Sequence, residues 1–196
     1  MSEKILLKII LIAFCVLCLG TASDSGERAP KSARLSGPTR IDITYLERKI
    51  HDLINREREK KGLPALLWNE QLHDIARRHS RDMARRKFFS HYDPEGRSFC
   101  DRYKAAAFEC GIRVGGTICL GAENISQDNL NYTPTRKTGK SFLAGSLEDR
   151  VAESVVKRWM NSKGHRKNIL TPYFRRQGIG VSFSGDGEVY VTEDFC

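Results

Sequence analysis

Three polar residues in this 196-residue chain stand where regular elements end: His91 in "FFSHYDPEG", Glu123 in "GAENIS" and His165 in "WMNSKGHRKNIL". Residues at such ends are held by a scaffold yet face solvent, a common placement for binding and catalytic groups. Two neutral imidazoles bind a transition metal, and a carboxylate orients an imidazole or acts as a general base. His91 and His165 are the metal-ligand candidates, with zinc the candidate metal. Together they supply only two of the three protein ligands a tight zinc site uses. They lie 74 positions apart, so spacing alone does not bring them together. The helical His-Glu-x-x-His pair of metalloproteases, the Gly-x-Ser-x-Gly elbow and a phosphate-binding glycine loop are all absent. Ser90 and Ser162 adjoin the two histidines, but sequence neighbours rarely point the right way for a Ser-His pair. Among the other histidines, His51 and His73 stand between charged residues and read as exposed. His79 shares an apolar stripe with Met83 and reads as a hydrogen-bonded core residue.

The elements that must position these groups follow from periodicity. Thr44-x-x-Glu47 fits a capping box, after which Leu46, Ile50, Leu53 and Ile54 fall on one helical face until Gly62 and Pro64 end it. Asn69 caps a second helix with Leu72, Ala76, His79 and Met83 along its stripe, running out into His91 and the turn Asp93-Pro94-Glu95-Gly96. A short third helix is expected from Ser98 to about Phe108, then a glycine-rich loop and short strand carrying Glu123, and a polar surface loop over 127–145. Ser146-x-x-Asp149 opens another helix, with Val151, Ala152, Val155, Val156 and Trp159 inward. That helix breaks at Ser162-Lys163-Gly164, where Gly164 permits a turn that exposes His165. Ile179, Val181 and Phe183 alternate with small residues, "SGDG" turns, and "EVYVT" returns as a hairpin. Helices first and a hairpin last make the class α+β.

Forty per cent apolar residues support a packed core. Residues 1–22 read as a secretory signal peptide: the uninterrupted apolar run Ile9–Leu19 is 11 residues, short of the roughly 20 that span a bilayer. Residues 23–43 form a polar leader and 44–196 the folded domain. Cleavage after Ala22 removes two lysines and one glutamate, taking the net charge from +9 to +8. Four cysteines then remain, Cys100, Cys110, Cys119 and Cys196, which in an exported domain read as two disulfides of open pairing. The positive charge favours anionic partners such as wall polymers or lipid headgroups. However, the basic residues interleave with acidic ones and match no nucleic-acid module, so they read as a solvated basic face. Asn124-Ile-Ser126 and Asn131-Tyr-Thr133 match the N-glycosylation pattern, but Asn124 adjoins the candidate site, which argues against its modification.

The runs from His51 to Gly96, "GAENIS", and "RWMNSKGHRKNILTPYFRRQGIGV" resemble, in that order, the CAP superfamily of cysteine-rich secretory, antigen 5 and pathogenesis-related proteins. The likeness is to its secreted prokaryotic branch and covers Leu46 to Phe195. It implies a three-layer α-β-α sandwich with a central antiparallel sheet and a cleft carrying two histidines and two glutamates. Carried over, these are His91, Glu123 (with Asn124 beside it) and His165. Two positions depart from the pattern. Ala122 stands where many members have glycine, and Ser162 stands three residues after Trp159, where eukaryotic members place the second glutamate. Glu153 and Glu193 are the remaining acidic candidates for that place. The family has no single shared reaction. Two functions are therefore expected: a secreted module whose cleft binds an envelope or extracellular ligand (a wall polymer, lipid or protein), or a metal-assisted hydrolase of peptide or cell-wall bonds using His91, Glu123 and His165.

Overall fold

The computed structural model describes residues 41–129 and 146–196. The signal segment, nearly all of the leader, the Asn131 sequon and most of the 127–145 excursion lie outside the described residues.

The first helix, α1, runs Ile43–Glu59 and is capped by Asp42, whose side chain accepts from the Tyr45 amide, rather than by Thr44. Glu47 cannot close a capping box because it is drawn elsewhere. It takes two hydrogen bonds from the Arg77 guanidinium, at 3.0 and 2.7 Å, and one from the Val181 amide at 3.0 Å. A two-residue strand, β1 (Leu67–Trp68), leads into α2 (Glu70–Arg86), capped by Asn69 as expected. α3 (Phe99–Ala105) is closed by a capping box of Ser98 and Asp101 and ends earlier than expected. A small hairpin, β2 (Ile112–Val114) and β3 (Thr117–Cys119), precedes β4 (Ala122–Asn129). α4 (Leu147–Asn161) begins with the Ser146–Asp149 capping box. The break at Ser162 is a corner between helices, since α5 (Lys163–Ile169) starts at once and carries His165 in its first turn. The chain closes with β5 (Arg176–Phe183) and β6 (Glu188–Phe195).

The main sheet has the order β1-β5-β6-β4. Its long strands are antiparallel, and the short β1 adds one parallel pairing to β5. The class is α+β, in three layers. On one face, Ile179, Val181, Val189, Val191 and Phe195 pack with Leu46, Ile50 and Ile54 of α1 and Val155 and Trp159 of α4. On the other face α2 lies directly on β5, because Gly178 and Gly180 present no side chain to it. A Cβ at either would stand 2.1 Å from the His73 or Arg77 amide nitrogen.

That close approach corrects the reading of His73 as exposed. The residue is buried, and its Nδ1–H donates to the Ile179 carbonyl at 2.6 Å. His51 is likewise half-buried, bonded to Gln177 at 2.6 Å and set edge-on to Trp68. His73 and Glu47 thus complete the outer edge of β5 beyond β1, which would otherwise present unpaired backbone groups. Cys110 and Cys196 form a disulfide that fixes the end of β6 to the segment before β2.

Candidate functional site

β4 is the outer strand of the sheet beside β6, and its register sets Glu123 opposite Asp194 and Asn124 opposite Glu193. Successive side chains on a strand point to opposite faces. Glu123 therefore enters the α2–α3 layer, while Asn124 meets α5 on the other side.

The Glu123 carboxylate is 1% exposed, yet both oxygens are engaged. His91 Nδ1 lies 2.8 Å from Oε1, and the Arg102 guanidinium of α3 forms an ion pair with Oε2. A carboxylate oxygen accepts, so His91 Nδ1 carries the proton that faces Oε1, and Nε2 is the ring nitrogen left facing away from Glu123. The His91 side chain is 46% exposed. Arg102 also donates to the carbonyls of His91 and Arg97, at 3.3 and 3.2 Å, bracing the loop as well as the carboxylate.

His79 behaves as the core residue expected, donating from Nε2 to the Ser90 carbonyl at 3.0 Å. It thereby anchors the residue before His91. Its Nε2 is also 4.0 Å from Glu123, and burial, partly offset by that charge, holds its pKa below the ordinary histidine range. Beneath Glu123, Asp194 is fully buried, and among the described residues neither oxygen accepts a hydrogen bond of good geometry; the neighbouring Tyr103 hydroxyl donates to the Phe195 carbonyl at 3.1 Å. Burial first, and the Glu123 charge second, push the Asp194 carboxyl well above its usual pKa.

On the opposite side, Asn124 donates to Glu193 Oε2 at 3.0 Å and to the His165 carbonyl at 3.3 Å, and accepts from Asn168 at 2.9 Å. Asn168 also donates to the Glu123 carbonyl at 3.2 Å. These bonds seat α5 against β4 and present the half-buried His165. Burial, then the charge of His91, lower the His165 pKa. The structure thus bonds His91 to Glu123 and ties the His165 backbone to Asn124. Among the described residues, the His165 ring makes no hydrogen bond to either His91 or Glu123. Asn124 has no exposed surface and a fully engaged side chain, so a glycan does not fit there. Ser162 caps α5 without a side-chain hydrogen bond, Glu153 is exposed on α4, and Glu193 lies under Asn124, on the far face of the sheet from Glu123.

The donor set does not fit a metal held by Glu123. One carboxylate oxygen faces an imidazole N–H and the other a guanidinium, so a dication would meet a fixed positive charge. Among the described residues, no three His, Cys, Asp or Glu side chains converge as a ligand set. Arg102 is the site residue sequence reasoning missed. It lies in a short, strongly charged helix with nothing local to mark it. Asn168 stood inside a recognised motif, without an assigned role.

The model of the CAP family (Cysteine-rich secretory protein family) matches residues 51–195, and the chain belongs to that family. It is 32% identical over 165 residues to YkwD of Bacillus subtilis (strain 168), covering 83% of this chain and 53% of that protein. The chain therefore spans about half the length of that relative. Among solved structures, an extracellular protein containing an SCP domain from Bacillus anthracis superposes with a TM-score of 0.56 at 29% identity. That match covers 82% of this chain and 44% of the other. An outer surface protein of Borrelia burgdorferi shares the fold, with a TM-score of 0.58 at 15% identity, covering 79% of this chain and 94% of that one. No helix among the described residues is long and apolar enough to cross a membrane.

Proposed function

We propose that the chain is an exported recognition domain in which His91 and His165 present their imidazoles, from a rigid base, to a polymer or protein of the cell envelope or its surroundings. The observation that carries this reading is the full engagement of Glu123, which makes the carboxylate a structural brace between α3 and the His91 loop. Export is supported by the signal-like residues 1–22 and by relatives described as extracellular, such as the Bacillus anthracis protein. Cosedimentation with insoluble peptidoglycan tests the proposal. Wild type is expected in the pellet, and a His91→Ala/His165→Ala variant in the supernatant. Equal pelleting of both would remove the histidines from recognition.

A second reading rests on the same His91–Glu123 bond. A carboxylate on Nδ1 fixes the tautomer and leaves Nε2 to accept a proton, the arrangement of a general base and its orienting partner. In that reading the chain hydrolyses peptide or cell-wall bonds, with His91 moving the proton and Glu123 positioning it. A metal-assisted version draws no support from the donor set at Glu123. Turnover of peptide, ester or peptidoglycan substrates by wild type, lost in His91→Ala, would favour this reading over the first.

A further inference from the structure

Between α2, α3 and the loop joining them lies a cleft of about 540 Å³, on the outer side of His79 and Arg102. Six arginines line it: Arg78, Arg81, Arg85 and Arg86 from α2, Arg97 from the loop and Arg102 from α3. The acidic lining is Asp82, Asp93 and Asp101, which leaves a net charge of +3 on the walls. The pairing within the cleft is uneven. Arg86 is held by Glu95, Arg97 by Asp93 and Arg102 by Glu123. Arg85 has only a 3.4 Å contact to Asp82. Arg78 and Arg81 are exposed, and among the described residues neither makes a hydrogen bond or an ion pair. Charged surface helices ordinarily alternate sign to satisfy such groups. On α2, arginine recurs at 78, 81 and 85, a spacing of about one turn that keeps all three on one face, and Asp74 and Asp82, four residues either side of Arg78, leave it without an ion pair among the described residues.

We propose that this cleft binds a ligand carrying more than one phosphate group, through Arg78, Arg81 and Arg85. Guanidinium forks match both carboxylate and phosphate. A carboxylate satisfies one fork at a time, whereas a phosphate offers three oxygens to donors arriving from several directions. Three arginines on successive turns that line one side of the cleft suit the second geometry. The volume falls within the roughly 300–1,000 Å³ of small-molecule sites and exceeds the need of a single phosphate. The basic face that reads from sequence as merely solvated is, in the fold, a walled cleft with two unpaired guanidinium groups. The cleft shares Arg102 with the His91 site, but the three arginines proposed to bind the ligand touch neither histidine.

Calorimetric titration of the full chain with tripolyphosphate, and in parallel with vesicles of cardiolipin, whose headgroup carries two phosphates, tests the proposal. Arg78→Gln/Arg81→Gln is compared with Lys60→Gln/Lys61→Gln, which removes the same charge from the exposed end of α1. Wild type is expected to bind at least one probe. The arginine variant is expected to lose about tenfold or more in affinity, the scale of one charge-assisted hydrogen bond. The lysine variant should stay within about twofold, as expected of charges outside the cleft. Binding to tripolyphosphate assigns the ligand to soluble phosphate chains, and binding to vesicles alone assigns it to lipid headgroups. Failure of wild type to bind either probe, equal affinity of the arginine variant, or equal loss in the lysine variant each overturns the proposal. His91→Ala/His165→Ala should bind both probes as wild type does, which keeps this test separate from that of the recognition surface.

Discussion

Replacing Arg102 by methionine isolates the interaction that organises the site. The Glu123 side chain is 1% exposed and that of Arg102 is 12% exposed, so the pair is buried on both sides. Removing one partner of a buried pair typically costs about 3–5 kcal/mol, because the other charge stays behind without its counterion. The lower end applies here. His91 still donates to Glu123 at 2.8 Å, and the residual exposure at Arg102 lets water reach the gap. The expected loss for Arg102→Met is thus about 3 kcal/mol. Urea unfolding reads it directly. With an m-value of about 1–3 kcal/mol per M for a domain of this size, the midpoint should fall by at least about 1 M. Glu123→Gln alone should also destabilise, since it leaves Arg102 pointing into a neutral pocket. The double variant carries neither charge and should lose clearly less than the sum of the single losses, by about 1–3 kcal/mol. Additive losses, or a loss under about 1 kcal/mol for Arg102→Met, would refute the reading of Glu123 as a buried brace.

Other expectations are independent of that pair. Gly180→Ala forces a Cβ to within 2.1 Å of the Arg77 amide nitrogen and 2.3 Å of the Ala76 carbonyl carbon, so α2 must lift from β5. A loss of about 3 kcal/mol in thermal unfolding is expected for this overpacking, against about 0.5 or less for Gly185→Ala, where nothing lies within 4 Å. Equal melting of the two variants would contradict the direct α2–β5 contact. Cys110 and Cys196 are 86 positions apart, and opening that loop with Cys110→Ser/Cys196→Ser should cost about 4.6 kcal/mol in the chain-entropy account. An unchanged denaturation midpoint under reducing and oxidising conditions would argue against it. The Asp194 carboxyl is raised above its unfolded value of 3.8, so the folded state holds the proton more tightly. Its contribution is therefore fully present below that value and is lost as pH rises towards the folded pKa. The stability of Asp194→Asn relative to wild type should accordingly climb as pH rises from about 4, and a flat difference would show that Asp194 ionises normally.

Helix periodicity and capping chemistry made most of the scaffold legible from sequence. Asn69, Ser98 and Ser146 start helices where local rules place them. The failures share a cause, which is that a distant partner decided the outcome. Glu47 has the right spacing for a capping box, but Arg77 and the Val181 amide compete for it across the edge of β5. His73 sits between charged neighbours, but Gly178 lets α2 approach so closely that its ring reaches a strand carbonyl. The two glycines of "QGIG" at strand spacing were the available signal of that approach. β6 reads apolar only as far as Thr192, yet it continues through Glu193 and Asp194 to Phe195, because one acid bonds to Asn124 and the other is favoured in its neutral form. Arg102 carried no signal of any kind, since a lone arginine in a short charged helix is ordinarily exposed.

The pairing of Glu123 with Asn124 explains why two adjacent residues of one strand organise both histidine-bearing segments. Because neighbouring strand side chains point to opposite faces, a glutamate followed by an asparagine gives one side a charge and the other a neutral donor and acceptor. The charged side needs cationic and N–H partners, and it draws in Arg102 and His91 from the α2–α3 layer. The neutral side joins groups of mixed character: the Glu193 carboxyl, the Asn168 amide and the His165 carbonyl, which no carboxylate could accept from and donate to at once. Exchanging the two residues would set a carboxylate against buried Glu193 and leave Arg102 without its counterion. The order of the pair, and not its composition alone, is what lets an outer strand hold a loop on one side and a helix on the other.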